Sequence, residues 1–196
     1  EIEIFVFVGK NTDIEIKNMY KQYANLIEDS IFDIKHPKWY MAKIEQKFFK
    51  SNIIFKNLLY KYKIQVLSHS NVVNLNSIKT INWIPDFQHM HLPEMFSQKE
   101  VIERNKMFMN LIKKSDLIVL SSNDSLNDFK KFAPDYVSKA KVLRFVSQPY
   151  KFYFDLDEND KKKLLEKYSL PENYFYIPNQ FWKHKNHMLV FEAVKM

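Results

Sequence analysis

Asp116-Leu117-Ile118-Val119-Leu120-Ser121-Ser122-Asn123 is the run on which the fold turns. Four consecutive apolar residues, bounded by polar ones, read as a short strand buried on both faces. Ser121-Ser122-Asn123 supplies a turn and a helix N-cap, and a helical pattern continues to Phe132. A strand passing through a capped turn into a helix is the unit of a parallel sheet.

The same unit recurs on either side. Residues 2–8 alternate and then run apolar, as a strand; Gly9 to Asp13 is a turn with a cap; Ile16, Met19, Tyr20, Tyr23, Leu26 and Ile27 mark a helix over 14–30. A second helical pattern covers 38–62. Strands are predicted over Ile64–Ser68, over Ile78–Ile84 ending at Pro85, and over Lys141–Phe145, with a helix over 97–114. The expected fold is α/β, one mostly parallel sheet covered by helices on both faces. The stretch 146–157 breaks the pattern. After it come a charged helix near 158–168, a strand over Tyr174–Ile177 and a helix from about His184. The expected organisation is a Rossmann-like domain over 1–146, a linker over 147–170, and the first strand and helix of a second Rossmann-like domain over 171–196. One βα pair cannot bury its own core, so the chain reads as a piece of a longer protein. Residues ahead of Glu1 are also expected, because no first strand-to-helix loop of a nucleotide-type fold precedes it.

Composition narrows the chemistry. Hydrophobic residues at 46% and charged residues at 27% exclude wholesale disorder. There is no Cys, which removes disulfides, thiolate metal sites and thiol nucleophiles. A single glycine, Gly9, excludes glycine-rich phosphate loops and dinucleotide turns. The net charge is +7, yet only Arg104 and Arg144 of the 30 basic residues are arginine. Nucleic-acid readers favour the arginine fork, so no nucleic-acid partner is expected. A solvated lysine surface, an anionic membrane surface or a phosphorylated substrate accounts for the charge. The acidic, alternating N-terminus is not a signal peptide, and no apolar run reaches the roughly 18–20 residues of a membrane-spanning helix. A cytoplasmic protein with peripheral contact to the inner membrane face is expected.

Two segments carry the chemistry. In Trp83 to Phe96 a strand enters a polar, aromatic loop at its carboxyl end, where open α/β sheets bind ligands. Asp86, Gln88, His89 and His91 fall within six positions; His and Asp can move protons or hold sugar hydroxyls. The two histidines lack a third ligand, so no metal is expected. In Tyr174 to His187 a strand ends in Pro178-Asn179-Gln180-Phe181-Trp182-Lys183-His184-Lys185 and a helix follows. Lysines two apart at a helix N-terminus suit an anion, and a solvated surface explains them equally well.

Together the two segments resemble the retaining glycosyltransferases of the GT-B fold, of the group-one or family-four type that includes mannosyltransferases. The likeness spans about residue 50 to the end and is strongest over Pro178 to His187 with Phe191-Glu192-Ala193. It implies that this strand–loop–helix opens a donor-binding domain. There Lys185 and Lys183, with Asn179 and Gln180 in the same loop, hold the diphosphate of a nucleotide sugar. Gln180 stands where the family usually has Arg, with Lys183 as its stand-in. Upstream, Asp86 matches the Asp of the family's acceptor loop, Pro85 stands where its His would be, and His89 is the nearest substitute. Asp86 and His89 are then the catalytic pair, with Gln88 and His91 on the acceptor side. Ser115 to Ser122 followed by Asp128 resembles the last acceptor-domain strand and helix. The implied reaction passes a sugar, mannose being one candidate, from a nucleotide-sugar donor to a glycan, lipid-linked or protein acceptor, with no cofactor. The acidic donor motif would lie beyond residue 196, so this piece alone is expected to be inactive. A non-catalytic module that binds carbohydrate or membrane, and a GT-B sugar epimerase, are the alternatives.

Overall fold

The structure, a computed structural model, describes residues 2–73, 75, 77–146 and 154–195. The chain divides into two compact units, Glu1–Phe145 and Val146–Met196. The first unit is α/β and every ladder in it is parallel. β1 (Phe5–Val8) pairs with β2 (Asn25–Glu28) in one sheet. β3 (Val66–Ser68), β4 (Lys79–Ile84), β5 (Leu117–Leu120) and β6 (Ala140–Val142) form a second, in that order. The single sheet expected from the sequence is thus two sheets.

Local chemistry explains where the expected helices divide. α1 (Ile14–Lys21) starts on Asp13, whose carboxylate accepts the Glu15 N–H at 2.7 Å. It stops at Gln22, and the residues expected to continue it become β2. Leu26 and Ile27 fit a helical stripe and a strand equally; the ladder Phe5↔Asn25 to Val8↔Glu28 decides for the strand. The helix expected over 38–62 is split. α2 (Pro37–Ile44) runs into a π-helical turn, Glu45–Phe49, that ends on Lys50 in the left-handed region at φ 49°. α3 (Ile53–Lys61) then starts afresh, and the Glu45 carboxylate accepts the N–H groups of Ile53 and Ile54 at its first turn.

The one glycine has a local cause. The Asp33 carboxylate lies against Gly9 and accepts the N–H groups of Lys10 (3.1 Å) and Asn11 (2.9 Å). A Cβ at residue 9 would collide with that carboxylate. Lys17, also buried, closes the same loop by donating to the Lys10 carbonyl (2.6 Å) and to Glu28 (2.9 Å). The turn after β1 is therefore held by the chain's own acid and amine.

The larger core lies where β4, β5 and β6 meet two helices. α5 (Gln98–Lys114) opens on a capping box of Ser97 and Glu100. Its last carbonyls are collected by the Lys139 ammonium, which donates to Ile112, Lys113 and Ser115. α6 (Asn123–Phe132) is capped by Ser122. Ile84, Ile112, Ile118, Leu120, Phe87, Phe108 and Phe129 interlock between them, each contributing roughly 1.5–3 kcal/mol by burial. Polar residues are also built into this interior. Asn82, fully buried in β4, donates to the Val72 carbonyl and to Ser115 Oγ, both at 2.9 Å. A smaller cluster of Leu59, Leu67, Leu75 and Ile78 packs with Phe7 and Phe55.

The second unit is sparse. α7 (Glu158–Lys167) is capped by Asp157 and α8 (His187–Val194) follows a 3-10 turn, Lys183–Lys185. The strand expected over Tyr174–Ile177 joins no ladder among the described residues. A strand needs a neighbour to satisfy its backbone, and none is placed beside it. Of the expected linker, 147–153 lie outside the described residues, while α7 occupies part of the remainder. Among the described residues no helix is long and apolar enough to cross a membrane.

Asp116 ties the amino ends of β4 and β5. It accepts from Lys79 Nζ at 2.8 Å and from the Thr80 N–H at 2.9 Å, and these bonds hold its carboxyl below the ordinary value of 3.8. Since the folded-state pKa is the lower one, the stabilisation is present above 3.8 and lost as pH falls through the folded value. Asp116→Asn is expected to lower Tm at neutral pH by roughly 2–4 °C. The gap to the native protein should close as melting is repeated below pH 3.8.

Candidate functional site

β4 ends at Pro85, and the polar loop opens directly from it. Ser121 Oγ donates to the Pro85 carbonyl at 2.7 Å, which ties the loop to the end of β5. Asp86 is half-exposed; its Oδ1 accepts the Gln88 N–H at 3.0 Å and lies 3.8 Å from Arg104 Nη1. Arg104 in turn sits over the Phe96 ring, 4.9 Å from its centroid. Phe87 turns inward and is 1% exposed, against Phe108 (5.5 Å), Phe132 (5.4 Å) and Phe129 (6.4 Å). The short helix α4 (Gln88–His91) then carries both histidines.

The two histidines have different fates. His89 is 1% exposed, ringed by Phe87, Phe96 and Phe108. Its Nε2 meets Asn105 Oδ1 at 2.8 Å, and its Nδ1 has no partner among the described residues. His91 has a side chain 53% exposed, and its Nε2 lies 2.6 Å from Oδ2 of Asp128, a carboxylate on α6 that is 5% exposed. The other Asp128 oxygen lies 3.8 Å from Lys131 Nζ. A buried carboxylate holding one nitrogen of an exposed imidazole leaves Nδ1 as the nitrogen open to a ligand, suited to accept a proton or a hydroxyl hydrogen bond. Gln88 is partly buried at the start of α4.

The structure therefore leaves Asp86 half-exposed and His91 exposed after the end of β4 and places His89 in the core. Asp128, Asn105 and Arg104 join the group without having been singled out as its partners. The signal for Asp128 is its helical spacing: Ser122, Ser125 and Asp128 are three apart and share one face of α6. On α5, Arg104 and Asn105 lie four and three positions before Phe108. Among the described residues no three His, Asp or Glu side chains are grouped to hold a metal ion.

In the second unit, Asn179, Gln180, Lys183 and Lys185 are all exposed. Lys185 N–H donates to the Trp182 carbonyl at 2.9 Å, closing the 3-10 turn. Asn186 then takes the left-handed conformation at φ 46° and starts α8 without a side-chain cap. The first turn of α8 therefore has no side-chain cap and directly follows a turn with two exposed lysines. Comparison with protein-family models, with curated protein sequences and with solved structures gives no match to the chain.

Burial separates the histidines chemically. On treatment with diethylpyrocarbonate, His91 is expected to be modified roughly 100-fold faster than His89, whose reaction must await local opening worth a few kcal/mol. Equal rates by peptide mass mapping would contradict this placement.

Proposed function

We propose that the chain is the acceptor-side domain and the opening of the donor-side domain of a GT-B glycosyltransferase. The reaction would transfer a sugar from a nucleoside-diphosphate donor to a glycan or lipid-linked hydroxyl. The observation that carries the reading is the lysine turn Lys183–Lys185 against the uncapped start of α8. The bond between the sugar's anomeric carbon and the diphosphate breaks in such a transfer, and negative charge grows on the leaving oxygens. Cations and free N–H groups fixed beside those oxygens stabilise that charge as it develops. Lys185 and Lys183 are the charges in this role, with Asn179 and Gln180 as neutral donors in the same loop.

On the acceptor side the reading assigns the exposed chemistry to Asp86 and His91. His91 takes the hydroxyl proton or holds the hydroxyl through Nδ1, because Asp128 occupies Nε2. His89 then supports the loop from within, through Asn105 and its aromatic neighbours. The exposed lysines of the wider surface suit peripheral contact with anionic lipid, where a lipid-linked acceptor would lie.

Titration of the chain with a panel of nucleoside diphosphates tests the reading. One of them should bind, and Lys185→Ala should weaken that binding about 10- to 100-fold, the scale of one charged hydrogen bond. His91→Ala should leave it unchanged. Binding that is indifferent to Lys185, or absent for every diphosphate tried, would contradict the proposal.

A further inference from the structure

β1 has the composition of an interior strand and the position of an edge. Phe5-Val6-Phe7-Val8 carries no charge and is apolar on both faces, as a strand flanked on both sides is. Edge strands ordinarily carry charges, prolines or bulges that block further pairing. β2 covers only one edge of β1. The bonds Asn25 N–H to Ile4 O (2.8 Å) and Asp29 N–H to Val8 O (3.0 Å) show which residues face β2. By the alternation of a parallel ladder, Phe5 and Phe7 direct their N–H and C=O groups to the opposite side. β3 is arranged the same way. Lys79 N–H to Gln65 O (2.9 Å) and His69 N–H to Ile81 O (2.8 Å) turn the odd-numbered residues toward β4. Val66 and Ser68 therefore present their backbone groups at the free edge.

Both free edges border one cleft of about 1780 Å³, lined by Ile2–Phe7, by Lys61–Val72 and by helix residues that include Trp39, Lys43 and Phe55. No residue of β2 or β4 lines it, so on the sheet side it opens only at the two free edges. Its volume exceeds the roughly 300–1,000 Å³ of small-molecule pockets. The β1 side runs from Ile2 to Phe7, of which Phe5 to Phe7 belong to the strand. Aromatic rings back it, with Phe7 5.9 Å from Tyr62 and Phe32 6.0 Å from Phe55.

We propose that this cleft is the seat of an extended peptide strand, uncharged and rich in β-branched and aromatic residues. The strand pairs with Phe5 and Phe7 on one side and with Val66 and Ser68 on the other, joining the two sheets into one. The ladders already present on each side continue through it, and peptide backbone is the one ligand whose donors and acceptors repeat along both edges. A small molecule would leave most of those groups unpaired. This inference is independent of the glycosyltransferase reading.

The test appends an eight-residue Val/Ile/Phe/Thr segment ahead of Glu1 through a flexible linker of about 20 Gly and Ser residues, which reaches about 25 Å. Amide hydrogen exchange is then read residue by residue. Exchange at Phe5, Phe7, Val66 and Ser68 should slow at least ~10-fold, while Val6 and Leu67, already turned toward β2 and β4, change little. Val66→Pro removes one donor from the free edge, spares the β3–β4 ladder, and should reverse the slowing at Phe5 and Phe7. If that variant does not fold, Ser68→Pro removes the other donor. Unchanged exchange at the four amides, or equal slowing by a control segment with proline at alternate positions, would overturn the proposal. So would a chain without the segment that is dimeric with those amides already protected, which would give the cleft to a second copy.

Discussion

The inward turn of Phe87 is the constraint on which the candidate site depends. Pro85 ends β4, and the next ring drops between Phe108, Phe129 and Phe132, two of them also fully or nearly fully buried. With Phe87 pinned, its neighbours have little choice. Asp86 is left outside, within reach of Arg104, and the one-turn helix that follows puts His89 inside and His91 outside. Losing that ring would cost the 3–5 kcal/mol typical of emptying a buried Phe site, and would release both histidines together.

Much of this architecture was legible in the chain. The run Leu117–Leu120 with its Ser122 cap, the helix after Ser97, and the strand stopped by Pro85 all follow from apolar period and capping chemistry. Local patterns failed where a distant partner decides. Leu26 and Ile27 suit either a helix or a strand, and only the β1 ladder chooses between them. The break at Lys50 is set by a left-handed residue and by Glu45 reaching forward to cap α3, neither of which leaves a Gly or Pro to read. The division into two sheets was invisible for the same reason: residues 5–8 look like an interior strand, and the sequence contains nothing that says which neighbour lies on each side.

The site was legible as a loop and illegible as an arrangement. Asp86, His89 and His91 lie close in the chain, but closeness along a one-turn helix says nothing about which ring faces the core. Asp128 lies 37 positions from His91 and reaches it only because α6 packs beside the end of β4. The second unit is a different case. None of its described residues is buried, and Phe175, Phe181, Met188 and Phe191 are all exposed. Its lysine turn is therefore organised locally, by backbone hydrogen bonds and by the ring pairs Trp182–His184 and Phe181–His187, with no buried residue behind it among the described ones.

The acceptor-side account rests on Asp128 holding His91 by one nitrogen. Long-range proton–nitrogen nuclear magnetic resonance of the imidazoles reads this directly, since each ring nitrogen reports whether it carries a proton. At a pH where the ring is neutral, His91 should show a protonated Nε2 and a bare Nδ1, and Asp128→Asn should abolish that preference. A His91 signal averaged between tautomers, and unchanged in Asp128→Asn, would contradict the account.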